Sequence, residues 1–211
     1  MSARSYGQNC SLAVAMDLIG ERWTLLIVRE LMLGPRRFTQ LQENLPGIGT
    51  NLLSDRLARL TRLGILDRQR ADGGHPSYSL SQIGKELEAV VYPLIRWGNL
   101  FPDRRRDSRH SRPEWNILPL RAYYSPRAGQ RWKGAYRVEI DGQALTVAAR
   151  ETGLETVDDD PVATITMDSV TAAKVASGSV SLERAVQAGQ ISLAGSPADI
   201  ELFFDAFSGP D

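Results

Sequence analysis

The sequence predicts an α+β protein built in two parts, and three observations predict it. Two helical segments flank a glycine-rich turn, Pro46-Gly47-Ile48-Gly49. A charged stretch, Pro102-Asp103-Arg104-Arg105-Arg106-Asp107-Ser108-Arg109-His110-Ser111-Arg112-Pro113, then interrupts the apolar pattern. Beyond it, helical spacing gives way to strand-like alternation. At 211 residues the chain has room for two small domains. The expected division is a helical part over 1–102, a charged linker over 103–113 and an α/β domain over 114–211.

Taken in order, a first helix covers about Ser11 to Ile19, with Leu12, Ala15, Met16 and Ile19 on one face, and Gly20 ends it. A second, from about Arg22 to Met32, is nearly all apolar and must be buried on most sides. It stops at Gly34-Pro35. Helices of about Phe38–Asn44 and Thr50–Leu63 follow, separated by a loop that cannot continue a helix. In the second of these, Leu53, Leu57 and Leu60 recur at i, i+4 and i+7, and Gly64 is a helix stop. Ile65–Arg70 and Ser77–Leu80 read as two strands around a turn-rich tip, and Ser81 opens a long helix to about Leu100. Helices, a helix-turn-helix and a two-stranded wing make a winged helix. After the linker, Trp115–Tyr124 is a helix candidate. Ala135–Glu139, Ala144–Arg150 and Ala163–Met167 alternate as strands, with a hairpin turn at Asp141-Gly142. Helices at Ser169–Ala176 and Leu182–Ala188, a strand at Ile191–Leu193 and a last helix from Pro197 complete the chain.

The helix after the glycine turn has the chemistry of a major-groove reader. Its leucines make a buried back, while Asn51, Asp55, Arg59 and Arg62 point the opposite way at about 100° per residue. Asn51 and Ser54 suit base edges, Asn pairing with adenine and Ser with either base type. Asp55 either accepts from a cytosine amino group or holds Arg59 one turn on. Thr50 sits at the helix start. Arg56, Arg59 and Arg62 are candidates for the phosphate backbone, and Thr50, Arg37 and His75 are further candidate DNA contacts.

Several linked motifs carry a family resemblance. They run from Cys10 through Asp17-Leu18-Ile19-Gly20-Glu21-Arg22-Trp23-Thr24-Leu25-Leu26, Arg37-Phe38 with Leu41, and Leu45-Pro46-Gly47-Ile48. Leu53-Ser54 with Arg56-Leu57 and Leu60, Gly64-Ile65-Leu66, and Tyr78, Leu80-Ser81 and Gly84 complete the set. Together they resemble the HxlR branch of MarR-like winged-helix regulators. The resemblance implies a homodimer, joined through its terminal helices, on a pseudo-palindromic operator in double-stranded DNA. The family often has Ser-Pro where this chain has Gly49-Thr50, so either Gly49 or Thr50 caps the reading helix. The family wing usually carries an arginine near its turn. Here the tip reads Asp72-Gly73-Gly74-His75-Pro76-Ser77, with His75 or Arg70 as the nearby substitute. Cys10 matches a position at which some members sense oxidants or electrophiles. It is either such a sensor or a small contact residue.

The second half resembles sterol-carrier proteins through Ala163-Thr164-Ile165-Thr166-Met167-Asp168, Ala176-Ser177-Gly178, and Ala185, Gly189, Ile191, Leu193 and Gly195. That resemblance implies an apolar pocket for a lipid-like or aromatic molecule. Trp115, Trp132, Phe203 and Phe207 are its candidate lining, or else plain core.

Charge and composition limit the alternatives. Residues 1–112 carry 17 Lys and Arg against 11 Asp and Glu, a net +6, and residues 113–211 carry 8 against 14, a net −6. The basic half suits phosphate. One cysteine excludes an internal disulfide, and two histidines are too few for a His-rich metal site. Asp158-Asp159-Asp160 lacks a loop of alternating ligands and reads as a solvated turn. No phosphate loop, nucleophile elbow or His–carboxylate set is present, so neither catalysis nor a cofactor is expected. No apolar run spans a membrane and no signal core opens the chain, so the expected place is the cytoplasm. Four functions remain in play: a regulator controlled by a small apolar ligand, a redox-sensing regulator acting through Cys10, a lipid carrier whose winged helix docks a protein, and an enzyme using the C-terminal pocket.

Overall fold

The computed structural model describes residues 5–70, 76–101 and 112–207. The chain forms two compact units, Met1–Val91 and Tyr92–Asp211.

In the first unit, helices α1 (Ser11–Ile19) and α2 (Thr24–Met32) are followed by a two-residue strand β1 (Arg36–Arg37). Helices α3 (Phe38–Asn44) and α4 (Thr50–Arg62), strands β2 (Leu66–Arg70) and β3 (Pro76–Leu80) and the short helix α5 (Gln82–Lys85) complete it. Helix α6 (Glu88–Gly98) begins in this unit and ends in the next. Ile27, Val28 and Leu31 of α2 are buried with Leu41 of α3 and Leu53, Leu57 and Leu60 of α4. Each such side chain contributes about 1.5–3 kcal/mol by leaving water. Trp23 precedes α2 with φ at 78°, the left-handed region that a bulky residue enters rarely, so α2 begins two residues later than its apolar run suggests. Glu30 is fully buried, and this is tolerated because it is partnered. Arg29 Nη2 lies 2.6 Å from Glu30 Oε1, and Asn44 Nδ2 donates to Glu30 Oε2 at 2.8 Å, tying α2 to α3.

The wing is three-stranded, in the order β1-β3-β2, rather than the expected pair. Arg36 pairs with Tyr78 and Leu66 with Leu80, all antiparallel. The tip expected to carry His75 lies outside the described residues, as does most of the 103–113 segment read as a linker. The long helix expected from Ser81 is broken. Leu87, Ala89 and Val90 bond to carbonyls three residues back, which tightens the backbone between α5 and α6. Gly84 is required there, because a Cβ would come within 2.1 Å of the Ile65 carbonyl oxygen.

In the second unit a 3₁₀ turn (Pro113–Asn116) leads into α7 (Ile117–Tyr123) and α8 (Pro126–Gly129). Strands β4 (Ala135–Ile140), β5 (Gln143–Arg150), β6 (Gly153–Thr156) and β7 (Pro161–Met167) follow. Helices α9 (Ser169–Ala176) and α10 (Leu182–Gln187), strand β8 (Ile191–Gly195) and helix α11 (Pro197–Asp205) end it. The sheet order is β6-β5-β4-β7-β8, with β4 and β7 parallel and the other neighbours antiparallel. Asp141 and Gly142 both have positive φ, 51° and 74°, as the two-residue hairpin between β4 and β5 demands. Tyr136, Val138 and Ile165 are fully buried along the central strands. Asp168, Ser181 and Ser196 cap α9, α10 and α11 by accepting from Thr171 N, Arg184 N and Asp199 N. Asp159 of the acidic run meets Arg150 at 3.0 Å, an exposed ion pair.

Candidate nucleic-acid interface and apolar cavity

Helix α4 is held by its back and presents its front. Leu53, Leu57 and Leu60 are buried, and Asn51, Ser54 and Asp55 are exposed around the first turns. The N-cap is Gly49, in extended conformation with φ −72° and ψ 147°, so Thr50 is the first helical residue. Instead of capping, Thr50 accepts a hydrogen bond at its Oγ1 from Gln42 Nε2 at 2.7 Å, which fixes α3 against the start of α4. Leu45 and Ile48 bury the turn between them. Gly47 supplies φ of 93° beside the Trp23 indole.

The three arginines of α4 divide. Arg56 and Arg59 both pair with Glu21, Arg59 Nη1 at 3.2 Å. Arg59 Nη2 also donates to the Asp17 carbonyl, and Arg56 Nε to the Arg22 carbonyl at 3.4 Å. Arg59 thus turns to Glu21 instead of Asp55. Arg62, in the last turn, is exposed and has no ion-pair partner among the described residues. Arg37 is exposed at the N-cap of α3, where its backbone N–H donates to Gln40 Oε1 at 2.8 Å.

Cys10 is exposed and stands at the N-cap of α1. The backbone N–H groups of Ala13 and then Leu12 hold its thiol below the ordinary range, with burial acting the other way. Two helices present apolar side chains to solvent: Leu12, Val14, Met16 and Leu18 on α1, and Val90, Leu94 and Trp97 on α6.

The C-terminal unit contains a cavity of about 440 Å³ between the sheet and its helices. Val138, Ile140 and Met167 line it from the sheet, Leu120 and Tyr123 from α7, Ala172 and Ala176 from α9, and Phe203 and Phe204 from α11. Of the four aromatic candidates, Phe203 and Phe207 line the cavity, while Trp115 and Trp132 are not among its lining residues. Trp132 stacks on Phe203 with centroids 5.7 Å apart and donates its indole N–H to the Leu202 carbonyl at 2.9 Å. Asn99, Asn116, Tyr123, Ser169 and Ser181 are polar lining residues that sequence reasoning does not find. An asparagine after a helix and a tyrosine inside one carry no pattern that marks them.

Among the described residues, no group of three or more His, Cys, Asp or Glu side chains could hold a metal ion. None of the described helices is long and apolar enough to cross a membrane.

Known proteins are similar in sequence to the first part of the chain. A family model described as HxlR-like helix-turn-helix matches residues 18–106. An uncharacterized HTH-type transcriptional regulator of Mycobacterium tuberculosis is 44% identical over 96 residues, 44% of this chain and 60% of that protein. The chain therefore spans less than two thirds of that relative. A similarly described regulator of Synechocystis is 35% identical over 95 residues, 44% of this chain and 70% of that protein. The HTH-type transcriptional regulator YodB of Bacillus subtilis is 35% identical over 89 residues, 41% of this chain and 80% of that protein. The solved structure of quinone-bound YodB is 34% identical, covers 43% of this chain and 98% of that one, and has a TM-score of 0.39. The family model stops at residue 106, leaving the five-stranded domain outside it.

Proposed function

Because the chain belongs to the HxlR-like helix-turn-helix family, a family of transcriptional regulators and not of enzymes, we propose that it is a homodimeric, sequence-specific DNA-binding regulator controlled by a small apolar molecule. The observation that carries the reading is the front of α4. Asn51, Ser54 and Asp55 are exposed beside the first turn of a helix anchored through three buried leucines. Base edges are met at the start of such a helix. Thr50 positions it, and Arg62 and Arg37 contact phosphate. Arg56 and Arg59 reach phosphate only by leaving Glu21. The exposed apolar faces of α1 and α6 are covered by a second copy of the chain, and two reading helices then address two half-sites. The C-terminal domain acts as the sensor, with a sterol-carrier-like cavity as its ligand site. Its volume and its apolar wall support that role.

Selection of operators from random duplex DNA tests the reading. One pseudo-palindromic sequence is expected to emerge, with affinity that falls steeply as salt rises, because each neutralised phosphate releases counterions. Asn51→Ala is expected to relax preference at one position of each half-site by about 1–3 kcal/mol. A dimer that binds selected and random duplexes equally ends the regulator reading.

The chemistry of Cys10 favours a second form of control. An exposed thiol at a helix N-terminus with a lowered pKa is the form that reacts with oxidants and electrophiles. If it governs binding, quinone weakens operator affinity in the wild type and not in Cys10→Ser. Indifference of the wild type to quinone assigns Cys10 to structure alone.

A further inference from the structure

The cavity of the C-terminal unit has a polar feature that chooses its occupant. Tyr123 is buried on α7, and its hydroxyl oxygen accepts from Asn99 Nδ2 at 3.4 Å. Both residues line the cavity. Because the amide nitrogen is the donor in that contact, the phenol proton is not consumed by it, and it goes to no other described residue. A buried tyrosine hydroxyl ordinarily finds an acceptor. Here an oxygen of an occupant would supply one. The rest of the wall excludes charge: no Lys, Arg, His, Asp or Glu is among the lining residues. An ionised carboxylate or ammonium entering this space would lose water with no counter-charge among the lining residues to meet it, a penalty that favours neutralisation or expulsion.

We propose that the cavity takes an uncharged, largely apolar molecule with a hydroxyl or carbonyl oxygen, which accepts a hydrogen bond from Tyr123, and that ionised fatty acids are rejected. This rests on the ligand-sensor reading above and narrows it to a chemical class. It also places the recognition point next to Asn99, the residue that follows α6 by one position, and near Arg96 of the same helix. The Arg96 Nη1 atom donates to the carbonyl of Ala122, the neighbour of Tyr123, at 2.6 Å.

The test is displacement of the neutral fluorophore phenylnaphthylamine from the full-length protein at neutral pH. Decanol, decane and decanoate serve as competitors of equal chain length. Decanol is expected to compete best. Decane should be about fivefold weaker, since it forgoes one hydrogen bond. Decanoate should be about a hundredfold weaker or worse, since it enters only after taking up a proton. In Tyr123→Phe, which keeps the ring and loses the hydroxyl, the decanol advantage over decane should vanish while fluorophore binding persists. Decanoate competing as well as decanol overturns the charge argument with no variant needed. A decanol preference that survives in Tyr123→Phe overturns the anchor. A wild-type protein that takes up no fluorophore at all removes the ligand-sensor reading itself, which is a separate failure from either of these.

Discussion

At the scale of single residues, backbone geometry decides reactivity. Among the described residues no charged side chain sets the ionisation of Cys10; the first N–H groups of α1, left without helical partners, lower it. They stabilise the thiolate, so the group ionises below the 9.0 of an ordinary cysteine. The sign follows directly. The thiolate persists to lower pH in the folded chain, and reactivity is lost only as pH falls through the depressed value. Alkylation of Cys10 by iodoacetamide should therefore show its half-maximal rate below pH 9.0, and in urea the same profile should move back up as α1 melts. Superimposable profiles for folded and unfolded protein would show that the helix start does nothing for the thiol. The sequence shows a cysteine before a helix and so the chance of this effect, but that pattern reads the same whether the sulfur faces the N–H groups or turns away.

At the scale of elements, α4 is clasped through two of its arginines. Glu21 sits between α1 and α2 and binds two guanidinium groups of α4, both about four-fifths buried, while its own carboxylate is more open. An ion pair so placed is worth on the order of 1 kcal/mol or less, so its meaning lies in what the arginines are prevented from doing. Glu21→Gln should lower stability by about 1 kcal/mol and release two cations. If they then reach phosphate, the dependence of log affinity on log salt steepens by up to about two, and non-specific binding rises. An unchanged salt slope would mean that Arg56 and Arg59 already contact DNA in the wild type or never do. The sequence made the leucine back and polar front of α4 legible, because the 3.6-residue repeat is set by burial. The Glu21 clasp was not legible, since its partners Arg56 and Arg59 stand 35 and 38 residues away along the chain. Strand β1 escaped for a related reason: Arg36 and Arg37 form a strand only because Tyr78 and Ser77 lie alongside to pair with them. The cavity wall is built from Ala172, Ala176 and Gly178 as much as from aromatic residues. A space left by small side chains has no signature in sequence, whereas Trp132, an obvious candidate, spends its indole on packing and a backbone carbonyl.

At the scale of the whole molecule, the proposed function needs a link between ligand and DNA, and α6 is the helix that runs from one unit into the other. It is one helix from Glu88 to Gly98, yet the division between the two units falls within it, after Val91. Its exposed Val90, Leu94 and Trp97 form the face assigned to the second copy, and its last turn is tied to α7 through Arg96. Pro93 lacks the N–H that would complete the helical ladder, so the helix bends most easily next to the division. A ligand changes DNA affinity only to the extent that it prefers one arrangement of the dimer. Coupling of this kind is typically about 1–3 kcal/mol and must be reciprocal. Saturating decanol should therefore change operator affinity of the full-length dimer by about five- to a hundredfold, and saturating operator should change decanol affinity by the same factor. Arg96→Ala should shrink both factors together, with little effect on either ligand alone, because the arginine touches neither the apolar part of the cavity nor the front of α4. If decanol binds in the cavity, yet operator affinity is the same with and without it, the C-terminal domain is a bystander to DNA binding and control must enter elsewhere, at Cys10 or not at all.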